Sequence, residues 1–103
     1  MTDNRFAARD NSVFEVAGRM AFQTVPQFLA HTDELLQSDA KPVTIDMRGV
    51  TLADSAGLAL MIEWVQLARA AKREVVFSHI PEQMRDLIRV SGLERVFFVS
   101  RET

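Results

Sequence analysis

Apolar and polar positions change period several times along the chain, and each change marks an element. Two short segments, Arg5-Phe6-Ala7-Ala8-Arg9 and Ser12-Val13-Phe14-Glu15-Val16, flank Asp10-Asn11, a pair well suited to a turn. They predict an N-terminal β-hairpin, although Val13 breaks strict alternation. Thr24 stands where it can cap a helix whose first turn tolerates Pro26. Phe28, Leu29, Leu35 and Leu36 share one helical face through about Gln37. Ser38 to Pro42 is a polar break. Val43 to Met47 alternates with period two and predicts a strand, and Gly49 opens a loop that runs to Asp54. A helix is expected from about Ser55 to Lys72. Glu74 to Ser78 has the continuous apolar centre of a buried parallel strand. Pro81 opens a helix to about Val90, with Gly92 where a C-cap prefers glycine. Arg95 to Val99 reads as a last strand, and Arg101 to Thr103 as a frayed end.

The resulting order is β-β-α-β-α-β-α-β. It predicts an α/β fold: a mostly parallel sheet of four or five strands behind an N-terminal hairpin, with helices packed on it. A chain of 103 residues fits one domain, 1–103, and leaves no room for two cores. Apolar residues make up 48% and charged residues 25%, the balance of a globular chain and not of a disordered one. The net charge of −2 is spread without a basic block, so nothing supports nucleic-acid binding. No amphipathic stretch has a Lys/Arg-rich face, and the longest apolar run, Leu58 to Ile62, is far too short to span a bilayer. The opening residues do not read as a secretory signal. The absence of cysteine removes disulfides, thiolate catalysis and Cys-based metal sites. A cytoplasmic protein is the expectation.

The most informative stretch runs from Asp46 to Leu58, where a strand leads through a loop into a helix N-terminus. Asp54 or Ser55 can accept from the free N–H groups of the first turn. Gly57 inside that turn costs roughly 1 kcal/mol relative to Ala, so close approach of another backbone or of a partner must offset it. A capped helix packed near a strand is one reading; a recognition surface centred on the Ser55 hydroxyl is the other. The following helix carries two apolar stripes, Leu58/Met61/Ile62/Val65/Ala68 and Leu60/Trp64/Leu67/Ala71, which together span an arc of roughly 220°. One sheet face needs little more than about 100°. The surplus must meet a neighbouring helix or another protein, and Trp64 points to the latter because Trp is enriched among interface anchors.

At these residues the chain resembles the STAS family, the sulfate-transporter and anti-sigma-factor-antagonist domains. The matching pieces are Val43-Thr44-Ile45-Asp46, the signature Asp54-Ser55-Ala56-Gly57-Leu58, and Met84 to Leu93 with its Ser91-Gly92-Leu93. The N-terminal third fits by element order only. Within the family the chain is more similar to the MlaB-like branch, with Ala56 where antagonists usually carry a second hydroxyl residue and Leu58-Ala59-Leu60-Met61-Ile62 behind it. The resemblance implies a non-catalytic cytoplasmic subunit of a phospholipid-moving ABC transporter, held at the inner membrane through its partner. It implies that the hydroxyl of Ser55 sits at the contact with the ATPase subunit. Joined to the apolar stripe, this gives an expected docking surface of Thr51, Asp54, Ser55, Ala56 and Gly57 with Leu60, Trp64 and Leu67 as anchors. The antagonist branch implies instead a switch in which a serine kinase phosphorylates Ser55.

Other constellations carry little. Asp46 and Asp54 flank a loop without a nearby His, so paired acid–base work is far less favoured than structural roles. His31 and His79 lack metal-ligand spacing; His31 is expected to be solvated, and His79 to make a loop hydrogen bond. There is no Gly-x-Ser-x-Gly elbow and no phosphate-binding Gly-rich loop, so no metal or cofactor is expected and any ATPase chemistry belongs to a partner.

Overall fold

The computed structural model describes residues 4–10 and 12–97. Strand β1 (Arg5–Ala8) and strand β2 (Val13–Met20) form the expected antiparallel hairpin. Its turn is tied by one carboxylate: Asp10 Oδ1 accepts from the Ser12 and Val13 amides and from the Ser12 hydroxyl. Phe6 and Phe14 stack at 5.3 Å on the core side. Strand β3 (Val43–Ala53) and strand β4 (Val75–Ser78) add in parallel, giving the order β1-β2-β3-β4. Helices α1 (Val25–Leu29) and α2 (Thr32–Leu36) link β2 to β3. Helix α3 (Ser55–Ala70) links β3 to β4, and helices α4 (Glu82–Val90) and α5 (Glu94–Phe97) follow.

Four expectations need correction. The helix expected through Gln37 breaks at Ala30-His31, because the Thr32 hydroxyl bonds back to the Leu29 carbonyl at 2.7 Å. Thr24 precedes α1 but does not cap it with its side chain; its hydroxyl accepts from the Ala21 amide and donates to the Arg19 carbonyl. Strand β3 does not end at Gly49 but continues to Ala53. It carries one extra residue between Asp46 and Gly49 and another between Val50 and Leu52, two bulges that masked its period. The last strand is absent over Arg95–Phe97, which form α5 and seat the Phe97 ring edge-on against Phe77 at 5.5 Å. Phe98, Val99 and the tail from Arg101 lie outside the described residues.

Helix α3 is the centre of the packing, in contact with α1, α2, α4, β3 and β4. Its wide apolar arc is therefore taken up within the chain. Val16, Met20, Ile45, Met47, Met61, Met84 and Ile88 complete the core. Helix α4 ends as its sequence predicts: Gly92, at φ +73°, lets the Leu93 amide reach the Ile88 carbonyl and its own amide reach that of Arg89. No helix of the described residues is long and apolar enough to cross a membrane.

Candidate functional site

Strand β3 delivers its last residues to the start of α3. The Ala53 amide donates to Gln83 Oε1 on α4, and the Asp54 amide donates to the Met20 carbonyl at the end of β2. Asp54 is the N-cap. Its Oδ1 accepts from the amides of Ala56 (2.9 Å) and Gly57 (3.3 Å), and its Oδ2 from the amide of Phe22 (3.4 Å). Two of the orphan donors of the first turn are thus satisfied. Gly57 sits where a Cβ would fall 2.5 Å from the Met20 carbonyl oxygen. The close approach that its sequence position required is to a backbone of this same chain.

Ser55 is exposed on the first turn of α3. Beside it a groove of about 460 Å³ opens between this turn and α4, lined by Ala53, Asp54, Ser55, Gln83, Asp86, Leu87 and Val90. Val90, in its lining, is 86% exposed. Phe22, whose backbone amide Asp54 holds, is 77% exposed. Leu52, just before Ala53, is also exposed. Thr51 is exposed too, with its hydroxyl donating to the Gly18 carbonyl. Ala56 is half-buried and Gly57 buried.

The anchors expected on α3 lie elsewhere. Trp64 is 0% exposed; it packs against Phe6, and its Nε1–H donates to Thr32 Oγ1 at 3.0 Å. Leu60 is equally interior and Leu67 is half-buried. Trp64 and Leu60 are core residues and cannot meet a partner on the folded chain. Sequence reasoning missed Phe22 and Val90. Phe22 falls in a stretch without period between two elements. Val90 was legible only as a large apolar residue three positions after the inward-facing Leu87.

Asp46 and Asp54 share no partner. Asp46 lies between the core residues Ile45 and Met47, so its side chain points to the sheet face opposite the helices. It is 4% exposed. Its Oδ1 accepts from the Arg48 amide in the bulge (2.9 Å) and faces His79 Nδ1 (3.3 Å), while Oδ2 pairs with Arg9 (2.5 Å) and Arg48 (3.5 Å). Burial pushes this carboxyl up, but the Arg48 amide and the charges of Arg48, His79 and Arg9 outweigh it, and the pKa lies below its ordinary value. His79 therefore holds a carboxylate and not merely loop backbone. His31 is not simply solvated: it stacks on Phe6 at 4.9 Å and bonds Glu34.

A carboxyl with a depressed folded pKa contributes stability above its unfolded value, about 3.9, and loses that contribution as pH falls through the folded value. Asp46→Asn should therefore cost about 2 kcal/mol at pH 7. That deficit should shrink at pH 3, below the ordinary carboxylate value, where the unfolded chain already takes up the proton that the folded carboxylate resists. Urea melts of both proteins at the two pH values measure this.

The strand order, the antiparallel opening hairpin and the helix layer around α3 define a STAS-type α/β domain. The chain belongs to the family described as "Mlab, STAS domain", whose model matches residues 5–100. No curated protein matches it. Among solved structures it is similar to the Bacillus cell fate determinant SpoIIAA in the phosphorylated form, at 16% identity and a TM-score of 0.67, covering 90% of this chain and 86% of that one. It is also similar to the anti-sigma factor antagonist SpoIIAA in its unphosphorylated form, at 13% identity and a TM-score of 0.64, covering 91% and 97%.

Proposed function

We propose that this chain is a non-catalytic docking subunit that binds the ATPase of a phospholipid-transporting ABC system and stabilises or activates it. The observation that carries the reading is the groove beside Ser55, which the exposed Val90 lines together with Leu87. It lies at the family signature, next to the Asp54 cap that also holds the amide of the exposed Phe22, and the family is the one described as MlaB. Exposed large apolar side chains grouped around a concave site fit a partner surface. Ser55 and Thr51 supply polar contacts, and Asp54, Ala56 and Gly57 shape the turn that presents them. The subunit would sit on the cytoplasmic side of the inner membrane through its partner.

A second reading has its own support. Ser55 is exposed, and a SpoIIAA of the same fold is described in a phosphorylated form. A phosphate at the first turn of α3 would meet favourable helix charge but also the Asp54 carboxylate, and it would place a dianion beside the apolar lining of the groove. It would act as a release signal, as in an anti-sigma-factor antagonist.

A tagged pull-down from the native organism, with mass spectrometry of partners and of Ser55, separates the two. The expected result is an ABC ATPase with its permease and an unmodified Ser55, with at least tenfold less ATPase on Phe22→Glu or Val90→Glu. Recovery of a serine kinase with phosphate on Ser55 would replace the transporter reading with the switch. Undiminished ATPase capture by both variants would remove the proposed surface.

A further inference from the structure

The two ends of α3 differ in charge. Ser55 and the Asp54 cap stand at its start. Roughly 20 Å further along the helix axis, its last turn borders a second cavity, of about 310 Å³. Three arginines line it: Arg69 from α3, Arg73 from the loop to β4, and Arg95 from α5. Glu74 is the one carboxylate in the lining, and Val65, Val75 and Val96 supply an apolar wall. Basic residues at the end of a helix often serve its free carbonyls. Here backbone amides fill that role. Lys72 stands at φ +60°; its amide donates to the Arg69 carbonyl at 2.9 Å, and the Arg73 amide donates to that of Ala68 at 2.7 Å. The guanidinium groups are not needed as caps.

Arg73 is half-buried and anchored, its Nη1 donating to the Ser38 carbonyl. Neither Arg69 nor Arg95 makes a side-chain hydrogen bond or ion pair with another described residue. Three guanidinium groups against one carboxylate give the lining an excess of two positive charges. Beside an apolar wall, where screening is weaker than in open water, these like charges repel. A ligand with two negative charges removes that repulsion. A phosphate monoester is close to a dianion at neutral pH, and its oxygens match guanidinium donors. A single carboxylate would leave one positive charge uncompensated. The cavity is at the small end of ligand pockets, which suits a phosphate on a short organic group.

We infer that the cavity lined by Arg69, Arg73 and Arg95, at the far end of α3, binds the phosphate group of a monoester, either soluble or borne by a lipid. The site is independent of the docking surface at Ser55, and loss of one leaves the other in place.

The test is a titration of the isotope-labelled chain with glycerol phosphate, at constant ionic strength and at about pH 7.5, where the ester is a dianion, followed by amide spectra. Expected are saturable shifts at Arg69, Arg73, Val75 and Arg95. Affinity should be about tenfold weaker in Arg69→Gln and in Arg95→Gln, the loss of one charge-assisted contact. Both variants should melt no lower than the parent without ligand, because each relieves repulsion, and their spectra verify the fold. Sedimentation with phosphatidylcholine vesicles that hold phosphatidic acid, but not with phosphatidylcholine alone, identifies a lipid source. Its absence beside saturable binding identifies a soluble ester. Glutarate, a dianion with two planar carboxylates, should bind more weakly. Shifts that grow linearly without saturation, or affinity unchanged in either variant, would overturn the proposal. Equal binding of glutarate would also overturn it and point to an acidic protein segment instead.

Discussion

Trp64→Ala is expected to lose about 4 kcal/mol of folding stability. The side chain is fully buried between α3 and the elements that carry Phe6 and Thr32. Its removal leaves a cavity beside the Phe6 ring and the Thr32 hydroxyl that the surrounding core fills only in part. The Thr32 hydroxyl also loses the donor that Trp64 supplied, while its own bond to the Leu29 carbonyl remains. A loss of this size is a large fraction of the 5–15 kcal/mol that holds a typical domain together. Urea denaturation measures it. Trp64→Phe retains most of the ring volume without the N–H and should lose about half as much. The pair separates a core role from an interface role. If Trp64 were an anchor, the alanine variant would melt like the parent and fail only in partner binding.

Gly57→Val is the second large effect, at about 3 kcal/mol. Helix propensity argues the other way, since leaving Gly gains a few tenths to about 1 kcal/mol in a helix. The clash decides the sign. The added Cβ would stand 2.5 Å from the Met20 carbonyl oxygen and 3.1 Å from Met20 Cβ, and neither the end of β2 nor the first turn of α3 can yield alone. Relief requires α3 to move away from β2, which breaks the bond from the Asp54 amide to Met20 and shifts Ser55. Thermal unfolding and partner capture should therefore fail together. Gly92→Ala is the contrast: nothing lies within 4 Å of the new methyl group, and only the positive φ is penalised, at about 1 kcal/mol. A Gly57→Val protein with unchanged stability would show that the helix start is looser than this packing implies.

Much of the fold was legible because period and punctuation agree in this chain. The turn at Asp10, the Asp54 cap, the Pro81 start and the Gly92 stop are local signals, and all four fall where the chain turns. What was not legible depends on distant partners. The bulges of β3 follow from pairing with β2, and no local signal ends the strand at Ala53 instead of Gly49. The helix break before Thr32 depends on a hydroxyl that Trp64, 32 residues away, also engages. Trp64 itself shows why a wide apolar arc is ambiguous: composition cannot tell a neighbouring helix from a foreign one. At the candidate site the turn and its hydroxyl were visible, but the groove was not, because Leu87 and Val90 of α4 come beside Ser55 only after folding.

The three hydrogen bonds on Asp54 have a mechanical meaning. Two hold the beginning of α3, and the third holds Phe22, the residue that turns the chain away from β2. One carboxylate is thus the hinge pin of two segments that are 32 residues apart. Tilting the helix start pulls on the Phe22 backbone, and moving that backbone loads the helix start. A partner or a covalent group that disturbs either segment is therefore felt by the other.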